Sequence, residues 1–282
     1  MSEILLQAAA KRGLPVPPPP HEVAQLGELA ASIFLQPTRS GRRVPREADY
    51  LECARRFAIP TSEGDLAAWE WGAATAPLVV LVHGWEGHGA QLGAFAAPLV
   101  EAGFRVVTFD LPGHGESPGV EAHVPLVARL LPEVQTRLGP VHALIGHSMG
   151  AAGAAMSTLQ GVAPRGLVLL APPICAWERV DRVAKRLQLA EPVRAAFERA
   201  TERRTRASYA ATDVRLVADR APCALLVLHD PEDADTSFAE AEAMVARWRG
   251  AQLVPCPGRG HYRLLATPEV VRRAVEFIAG LR

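Results

Sequence analysis

The stretch Val141-His142-Ala143-Leu144-Ile145-Gly146-His147-Ser148-Met149-Gly150 decides the fold, because an apolar run leads directly into a serine set between two glycines. The run predicts a buried strand, and the small residues after Gly150 predict a helix. A serine in so sharp a strand-to-helix turn takes a strained backbone conformation, and the glycines let neighbouring chain pass closely. The turn is expected to raise the hydroxyl of Ser148 above the sheet and to aim the N–H of Met149 at a developing oxyanion.

On both sides of this stretch, short β-rich runs alternate with longer helical segments. The alternation predicts an α/β fold: an eight-stranded, mostly parallel sheet with helices on both faces. The first two strands flank a turn-forming segment and are expected to form an antiparallel hairpin at a sheet edge. The predicted strands are Arg56–Ile59, Leu66–Trp71, Leu78–Val82, Arg105–Asp110, Val141–Gly146, Gly166–Leu170, Cys223–His229 and Gln252–Cys256. The predicted helices are Gln91–Ala102, Val124–Leu138, Met149–Leu159, Ser237–Trp248 and Pro268–Ala279.

Two parts of the chain depart from this alternation. The gap between the sixth and seventh strands is about fifty residues long, and apolar residues at helical spacing predict two or three helices there. We interpret residues 172–220 as a helical cap, or lid, inserted at the carboxyl edge of the sheet, where ligands bind in open α/β folds. Residues 1–50, with an extended proline run at 15–20, are interpreted as an N-terminal extension. Residues 51–171 and 221–282 form the predicted core.

Composition and charge exclude several classes of protein. The 282 residues are 49% hydrophobic, enough for a substantial core, and 30 basic residues balance 30 acidic ones. Balanced charge argues against a nucleic-acid partner. No apolar run is long enough for a membrane span, and the N-terminus lacks a secretory pattern, so a cytoplasmic location is expected. The four cysteines form no CxxC pair, which argues against a disulfide framework or a zinc site.

A nucleophilic hydroxyl needs a base, and the base needs an orienting carboxylate. The last predicted strand leads into Gly258-Arg259-Gly260-His261, which places the imidazole of His261 in a loop over the sheet edge. The preceding strand opens into the acidic loop His229-Asp230-Pro231-Glu232-Asp233-Ala234-Asp235. The chain order is therefore Ser, Asp, His, with each residue at the carboxyl end of a strand. This pattern favours nucleophilic catalysis by Ser148.

A further strand end is expected to complete the site. The strand Leu78–Val82 runs into His83-Gly84-Trp85-Glu86-Gly87-His88-Gly89. Gly84 permits a turn that aims the N–H of Trp85 towards the serine, where it would be the second oxyanion donor. The next strand ends in a glycine-rich loop, residues 109–117, at the same edge of the sheet.

With these segments the sequence resembles the serine hydrolases of the α/β-hydrolase superfamily, in particular lid-bearing esterases and lipases. The resemblance rests on HG after the third strand, DLPGHGES after the fourth, GHSMG after the fifth, and the HDPED and GRGH loops. It covers the chain from about Leu78 onwards and leaves the first fifty residues unmatched. It implies that Ser148 is the nucleophile, His261 the base, and Met149 and Trp85 the oxyanion donors.

The resemblance implies the triad acid less directly. In the family the strand usually ends in Gly-x-x-Asp, and here Asp230 stands in place of that glycine. The register then indicates Asp233, with Asp235 as the alternative and Asp230 as a third choice.

Other residues near the predicted site have simpler interpretations. We expect His83, Gly84 and His147, with Trp177 from the cap, to line a substrate pocket. His83 and His88 have no HExxH pattern and no third ligand nearby in the sequence, so neither a metal nor any other cofactor is expected.

The leading functional hypothesis is a serine hydrolase that cleaves a carboxylic ester or a related small-molecule acyl compound through an acyl-enzyme intermediate. An acyltransferase or a C–C bond hydrolase would use the same triad and stays open. A nucleotide-binding oxidoreductase is disfavoured because the glycines at 84, 87 and 89 do not follow GxGxxG. A non-catalytic binding module is disfavoured by the intact Ser–Asp–His set. The sequence does not predict the oligomeric state.

Overall fold

The computed structural model describes residue 7 and residues 10–12, 22–38, 45–220 and 222–281, without the side chains of residues 176 and 177. The proline run at 15–20 and the side chain of Trp177 therefore lie outside the described residues, and the predictions for them stay predictions.

A single sheet organises most of the chain. Its strands are β1 (Arg55–Thr61), β2 (Gly64–Trp71), β3 (Leu78–Val82), β4 (Arg105–Phe109), β5 (Val141–His147), β6 (Gly166–Leu170), β7 (Ala224–His229) and β8 (Gln252–Pro255). The eight strands lie in the order β1-β2-β4-β3-β5-β6-β7-β8. β1 pairs antiparallel with β2 and β2 antiparallel with β4, whereas every pair from β4 to β8 is parallel. The predicted eight-stranded, mostly parallel sheet with an edge hairpin is confirmed.

The sheet is buried on both faces because helices cover each of them. Successive side chains of a strand point to opposite faces. In β3, Leu78, Val80 and Val82 accordingly join one apolar cluster, while Val79 and Leu81 join another. All five of these side chains are buried, as expected for a central strand of a parallel sheet.

The helices around the sheet largely follow the predicted pattern. They are Pro45–Glu52, Ala96–Glu101, Val124–Leu138, Met149–Ser157, Arg215–Ala218, Phe238–Arg247, Gly260–Arg263 and Pro268–Ala279, with 3₁₀ segments at Gly89–Phe95, Thr158–Gln160 and Leu264–Ala266. The limits of Val124–Leu138 and Pro268–Ala279 are those predicted. The predicted helix Gln91–Ala102 begins instead as a 3₁₀ segment. Among the described residues, no helix has both the length and the apolar composition to cross a membrane.

The chain packs into two compact units. The helical unit contains the described residues up to Gln36 together with Cys175–Asp213, and the sheet unit contains Pro37–Ile174 and Val214–Arg282. A helix within residues 1–50 packs with a helix inserted after β6. The predicted division of the chain into an extension, a core and a cap stays a prediction. The role of the insertion as a lid stays a prediction.

The helical unit has its own small core. Its helices are Val23–Leu35, Ala176–Arg186 and Glu191–Thr205, with a 3₁₀ segment at Ala210–Thr212. The first and third of these pack closely, since a Cβ atom on Gly27 would lie 2.5 Å from the Cβ of Ala196. Phe197 is fully buried and meets the ring of Phe34 edge-on, with ring centroids 5.8 Å apart. Apolar faces of helices that are distant in the sequence thus bury one another.

Candidate active site

The turn between β5 and its following helix holds Ser148 in a strained conformation. Its backbone has φ 50° and ψ −123°, in a region that residues other than glycine seldom adopt. Its N–H donates to the carbonyl of Leu170 at the end of β6, 2.9 Å away, which ties the turn to the neighbouring strand. A Cβ atom on Gly150 would lie 2.3 Å from the carbonyl oxygen of His83, so only glycine fits there. The sequence-predicted turn is thus fixed by contacts with two neighbouring strand ends.

Ser148, His261 and Asp233 form a continuous hydrogen-bonded chain. The Oγ of Ser148 lies 3.0 Å from Nε2 of His261, and Nδ1 of His261 lies 2.8 Å from Oδ2 of Asp233. Ser148 and His261 are each 8% exposed. With Nδ1–H donating to the carboxylate, Nε2 is the basic nitrogen and faces the hydroxyl, which is the geometry needed to remove its proton.

The carboxylate of Asp233 is held by several donors. Its Oδ1 accepts the backbone N–H groups of Asp235 and Thr236, at 2.7 and 3.2 Å, and the hydroxyl of Thr236 lies 3.0 Å from Oδ2. Burial acts to raise the pKa of Asp233, but the neighbouring side chains of His229 and His261 and the Asp235 amide outweigh it and hold the pKa far below its usual value. The side chain of Asp233 is therefore a carboxylate at neutral pH.

Asp230 is a structural clamp between two loops. Its Oδ2 accepts the backbone N–H groups of Arg259 and Gly260, and its Oδ1 accepts the N–H of Glu232 at 2.9 Å. Burial acts to raise the pKa of Asp230, and these backbone donors outweigh it and lower the pKa. Asp230 thus ties the acidic loop to the loop that carries His261.

The structure brings Asp233 to the imidazole of His261, which favours it over the two sequence alternatives. Asp235 contributes its backbone N–H to Asp233 instead.

The loop of residues 83–89, which follows β3, passes close to Ser148. A Cβ atom on Gly84 would lie 2.9 Å from both the Cβ of Ser148 and Nδ1 of His147. Among the described residues, no backbone–backbone hydrogen bond outside the helices and strands is donated by the N–H of Trp85 or Met149. Their placement suits the predicted oxyanion donors, whose role stays a prediction.

Two buried histidines fix the shape of this loop. His83 accepts the N–H of Leu111 at Nε2, 2.9 Å away, so its Nδ1 carries the proton that is donated to the carbonyl of Gly84. His114 in turn accepts the N–H of Glu86 at Nε2, 3.0 Å away. Both histidines are buried and bond to the backbone, so they shape the loop rather than present a ring to solvent.

Asp110 joins the same support. Its side chain accepts the N–H groups of Gly89 and Glu116, at 2.7 and 2.8 Å, so it fastens the loops after β3 and β4 together. The DLPGHGES pattern predicts a loop at this edge of the sheet, but it does not indicate that Asp110 hydrogen-bonds to both loops.

His147 lies next to His261. Its Nε2–H donates to the backbone carbonyl of His261, 2.9 Å away, and the two rings are 4.8 Å apart. Burial lowers the pKa of His147 to about 3, so the ring is neutral at neutral pH. The predicted role of His83 and His147 in lining a pocket is not tested by these contacts, which show both rings buried against the backbone.

A metal has little to bind at this edge of the sheet. Among the described residues, Asp233, Asp235 and His261 have possible ligand atoms within 4.8 Å of one another. Both ring nitrogens of His261, however, already face Ser148 and Asp233. A metal bound to Nε2 of His261 would separate the ring from the hydroxyl of Ser148.

Sequence reasoning missed two residues of the site. His229 ends β7 and lies 3.4 Å from Oδ2 of Asp233 through its Nε2, and Thr236 bonds to the same oxygen. The signal was present in the acidic loop, where a histidine precedes Asp233 by four residues. The sequence does not give the backbone path of the loop, so it could not predict that the side chain of His229 points towards Asp233.

A comparison with curated proteins found a partial match. The chain is 42% identical over 76 residues to the pimeloyl-[acyl-carrier protein] methyl ester esterase of Methylococcus capsulatus, a match that covers 27% of this chain and 28% of that enzyme. The chain thus spans less than a third of the length of this curated relative.

Two solved esterases share the fold. An esterase of Pyrococcus furiosus superposes with a TM-score of 0.65 at 20% identity, over 88% of this chain and 97% of that one. A thermophilic esterase of Thermogutta terrifontis, with malate bound, superposes with a TM-score of 0.61 at 24% identity, over 81% and 99%.

The family itself is identified over most of the chain. The profile of the alpha/beta hydrolase family matches residues 79–274, a segment that includes Ser148, Asp233 and His261. The predicted resemblance and the prediction of a hydrolase are therefore confirmed. The chain belongs to the alpha/beta hydrolase family.

Proposed function

We propose that the chain is a serine hydrolase that cleaves a carboxylic ester, or a related small acyl compound, through an acyl-enzyme intermediate. The observation that carries the proposal is the hydrogen-bonded chain from Ser148 Oγ to His261 Nε2, at 3.0 Å, and from His261 Nδ1 to Asp233 Oδ2, at 2.8 Å. The similar proteins, a methyl ester esterase and two esterases, support the choice of an ester.

Acylation begins at the strained turn. Nε2 of His261 takes the proton of the Ser148 hydroxyl as the oxygen attacks the ester carbonyl. The imidazolium that forms is stabilised by the buried carboxylate of Asp233, which also keeps the ring in the required tautomer. The oxyanion of the tetrahedral intermediate rests on the backbone N–H groups of Met149 and Trp85. His261 then donates its proton to the leaving alcohol.

Deacylation repeats these steps with water. His261 removes a proton from a water molecule, which attacks the acyl-serine carbonyl, and the same amides stabilise the second oxyanion. Collapse of that intermediate returns the proton to Ser148 and releases the carboxylic acid. No step requires a cofactor or a metal. The cytoplasmic location and the lid role of the inserted helices stay predictions.

The proposal is tested with a panel of p-nitrophenyl esters of graded acyl length, together with a methyl ester, assayed beside Ser148→Ala. We expect wild-type turnover of at least one ester and a loss of about 10⁴-fold or more in the variant. Equal, slow hydrolysis of every ester by both proteins would contradict an esterase. A parallel assay with added alcohols as acceptors separates hydrolysis from acyl transfer, because transfer yields a new ester in place of the acid.

A further inference from the structure

Oδ2 of Asp233 faces three side chains, although a triad needs only one. The first is His261, the predicted base. The second is the hydroxyl of Thr236 at 3.0 Å, and the third is Nε2 of His229 at 3.4 Å. Nε2 of His229 is also 3.1 Å from the hydroxyl of Thr236. The two extra groups therefore contact each other as well as the triad acid.

Packing alone does not explain a histidine at position 229. The residue is fully buried at the end of β7, and its ring leans on Phe238, with centroids 5.5 Å apart. Its Nδ1 has no hydrogen-bond partner among the described residues. A buried nitrogen without a partner destabilises the folded state, and an apolar side chain of similar size avoids that penalty. The informative contacts of His229 are therefore those of its other nitrogen.

We propose that His229 is a positioning residue of the triad, which acts with Thr236 on the carboxylate of Asp233 and through it on His261. In the arrangement that the distances favour, Nε2–H of His229 donates to the hydroxyl of Thr236, and that hydroxyl donates to Oδ2 of Asp233. The inference rests on the proposed triad for its consequence in catalysis.

The extra donors have two physical effects. They fix the rotation of the carboxylate, so that Oδ2 stays in line with Nδ1 of His261. They also share its negative charge, so that it holds the proton of His261 less tightly. Removing a donor is therefore expected to raise the pKa of His261. The titratable or polar groups that face Asp233 and His261 from the packed elements are His229, Thr236, Asp235, Ser148, His147 and Tyr262.

The experiment is an NMR titration of the His261 ring in the intact protein. We expect His229→Leu to raise the pKa of His261 by about 0.5 unit or more, which is about a threefold gain in proton affinity. Thr236→Val removes the hydroxyl with little change of shape and is expected to give a shift in the same direction, so it serves if His229→Leu does not fold. His229→Gln places an amide N–H near the position of Nε2 and is expected to restore a value close to that of the wild type.

A second arm asks whether the effect passes through Asp233. In an Asp233→Asn background, adding His229→Leu is expected to leave the pKa of His261 within about 0.2 unit. The acid limb of the pH profile of kcat/KM is expected to move upward in His229→Leu by the same amount as the NMR value. A pKa of His261 that does not move in His229→Leu and Thr236→Val, or a shift that persists in the Asp233→Asn background, would overturn the inference.

The NMR value separates this inference from the proposed function. A shift of the His261 pKa without turnover of any ester would support the coupling and contradict the esterase. Normal ester turnover with an unmoved pKa would contradict the coupling alone.

Discussion

The two units of this chain differ in how much apolar core they have and in what that core holds. The sheet unit packs apolar residues against both faces of eight strands, and every residue of the proposed triad belongs to it. Among its described residues, the helical unit buries one small cluster, made of Leu26, Leu29, Ala30, Ala31, Val180, Ala184, Leu187, Val193, Phe197 and Ala200.

The difference indicates that the sheet unit holds the proposed triad rigidly and that the helical unit opens more easily. A triad must be held to within a fraction of an ångström, and a two-sided core with braced loops provides that rigidity. A unit with one small cluster is expected to open locally at lower free energy. Substitutions in the sheet unit should therefore change turnover, and substitutions in the helical unit should change local stability without disabling Ser148. The predictions below test this division, from the largest effect to the smallest.

The largest effect is expected at the triad acid. Asp233→Asn removes the carboxylate that stabilises the imidazolium and is expected to lower kcat by about 10⁴-fold. Asp235→Asn is the matched control, because Asp235 meets Asp233 through its backbone N–H. Steady-state kinetics on the best ester would measure both. A larger loss of kcat in Asp235→Asn than in Asp233→Asn would show that Asp235, and not Asp233, is the triad acid.

Two glycine-to-alanine substitutions compare the units directly. A Cβ atom on Gly84 would lie 2.9 Å from the Cβ of Ser148, so Gly84→Ala is expected to displace the loop of residues 83–89 with its proposed oxyanion donor and lower kcat by about 10²- to 10³-fold. Gly27→Ala produces a closer clash, 2.5 Å from the Cβ of Ala196, but in the helical unit. Its effect on the rate at which Ser148 reacts with a small fluorophosphonate is expected to be slight. Similar losses of Ser148 reactivity in Gly84→Ala and Gly27→Ala would contradict the proposed difference between the two units.

The helical unit is expected to lose stability by itself. Phe197→Ala leaves a cavity among the few side chains of its cluster, and large-to-small changes of this kind destabilise by about 3–5 kcal/mol. Native-state hydrogen exchange should show faster exchange in Val23–Leu35 and Glu191–Thr205 together. Strands β5 and β7 should keep the protection that they have in the wild type. Equal loss of protection in those strands would mean that the two units unfold as one.

Acid is expected to destabilise the sheet unit selectively, because every histidine among the described residues lies in it. Nδ1 of His123 accepts the N–H of Leu126 at the start of the helix Val124–Leu138, 3.0 Å away. Burial and, more weakly, Arg129 lower the pKa of His123 to about 3. The unfolded chain, with an ordinary histidine pKa of about 6.5, therefore takes up the proton first, and stability falls as the pH drops from that value towards 3.

His123→Asn keeps a capping acceptor but does not titrate. Between pH 7 and pH 5 its free energy of unfolding is expected to fall by about 1–2 kcal/mol less than that of the wild type. Denaturant unfolding at the two pH values would measure this difference. The same loss in both proteins would show that His123 does not contribute to the acid sensitivity.

The sheet was predictable from the sequence because its signals are local. Apolar runs of strand length, a serine between glycines and acidic or histidine-bearing strand ends each occupy fewer than ten consecutive residues. Such signals place Ser148, Asp233 and His261 at one edge without any knowledge of long-range contacts. The resemblance to a family then selected Asp233 from three neighbouring aspartates.

The remainder depended on contacts that no local pattern contains. The helix Val23–Leu35 packs against Glu191–Thr205, more than 150 residues later in the chain, so neither segment indicates its partner. The brace from Asp110 and the approach of His229 to Asp233 depend on the paths of loops, which composition does not specify. These are also the contacts that fix the orientation of the groups in the site.

The central claim is that one hydroxyl, that of Ser148, is made nucleophilic by His261 and Asp233. Mass spectrometry after reaction with a fluorophosphonate tests it most directly. We expect a single adduct per chain, mapped to the peptide that contains Ser148, and strongly slowed labelling in His261→Ala. An adduct on another residue, or unchanged labelling in Ser148→Ala, would contradict the account.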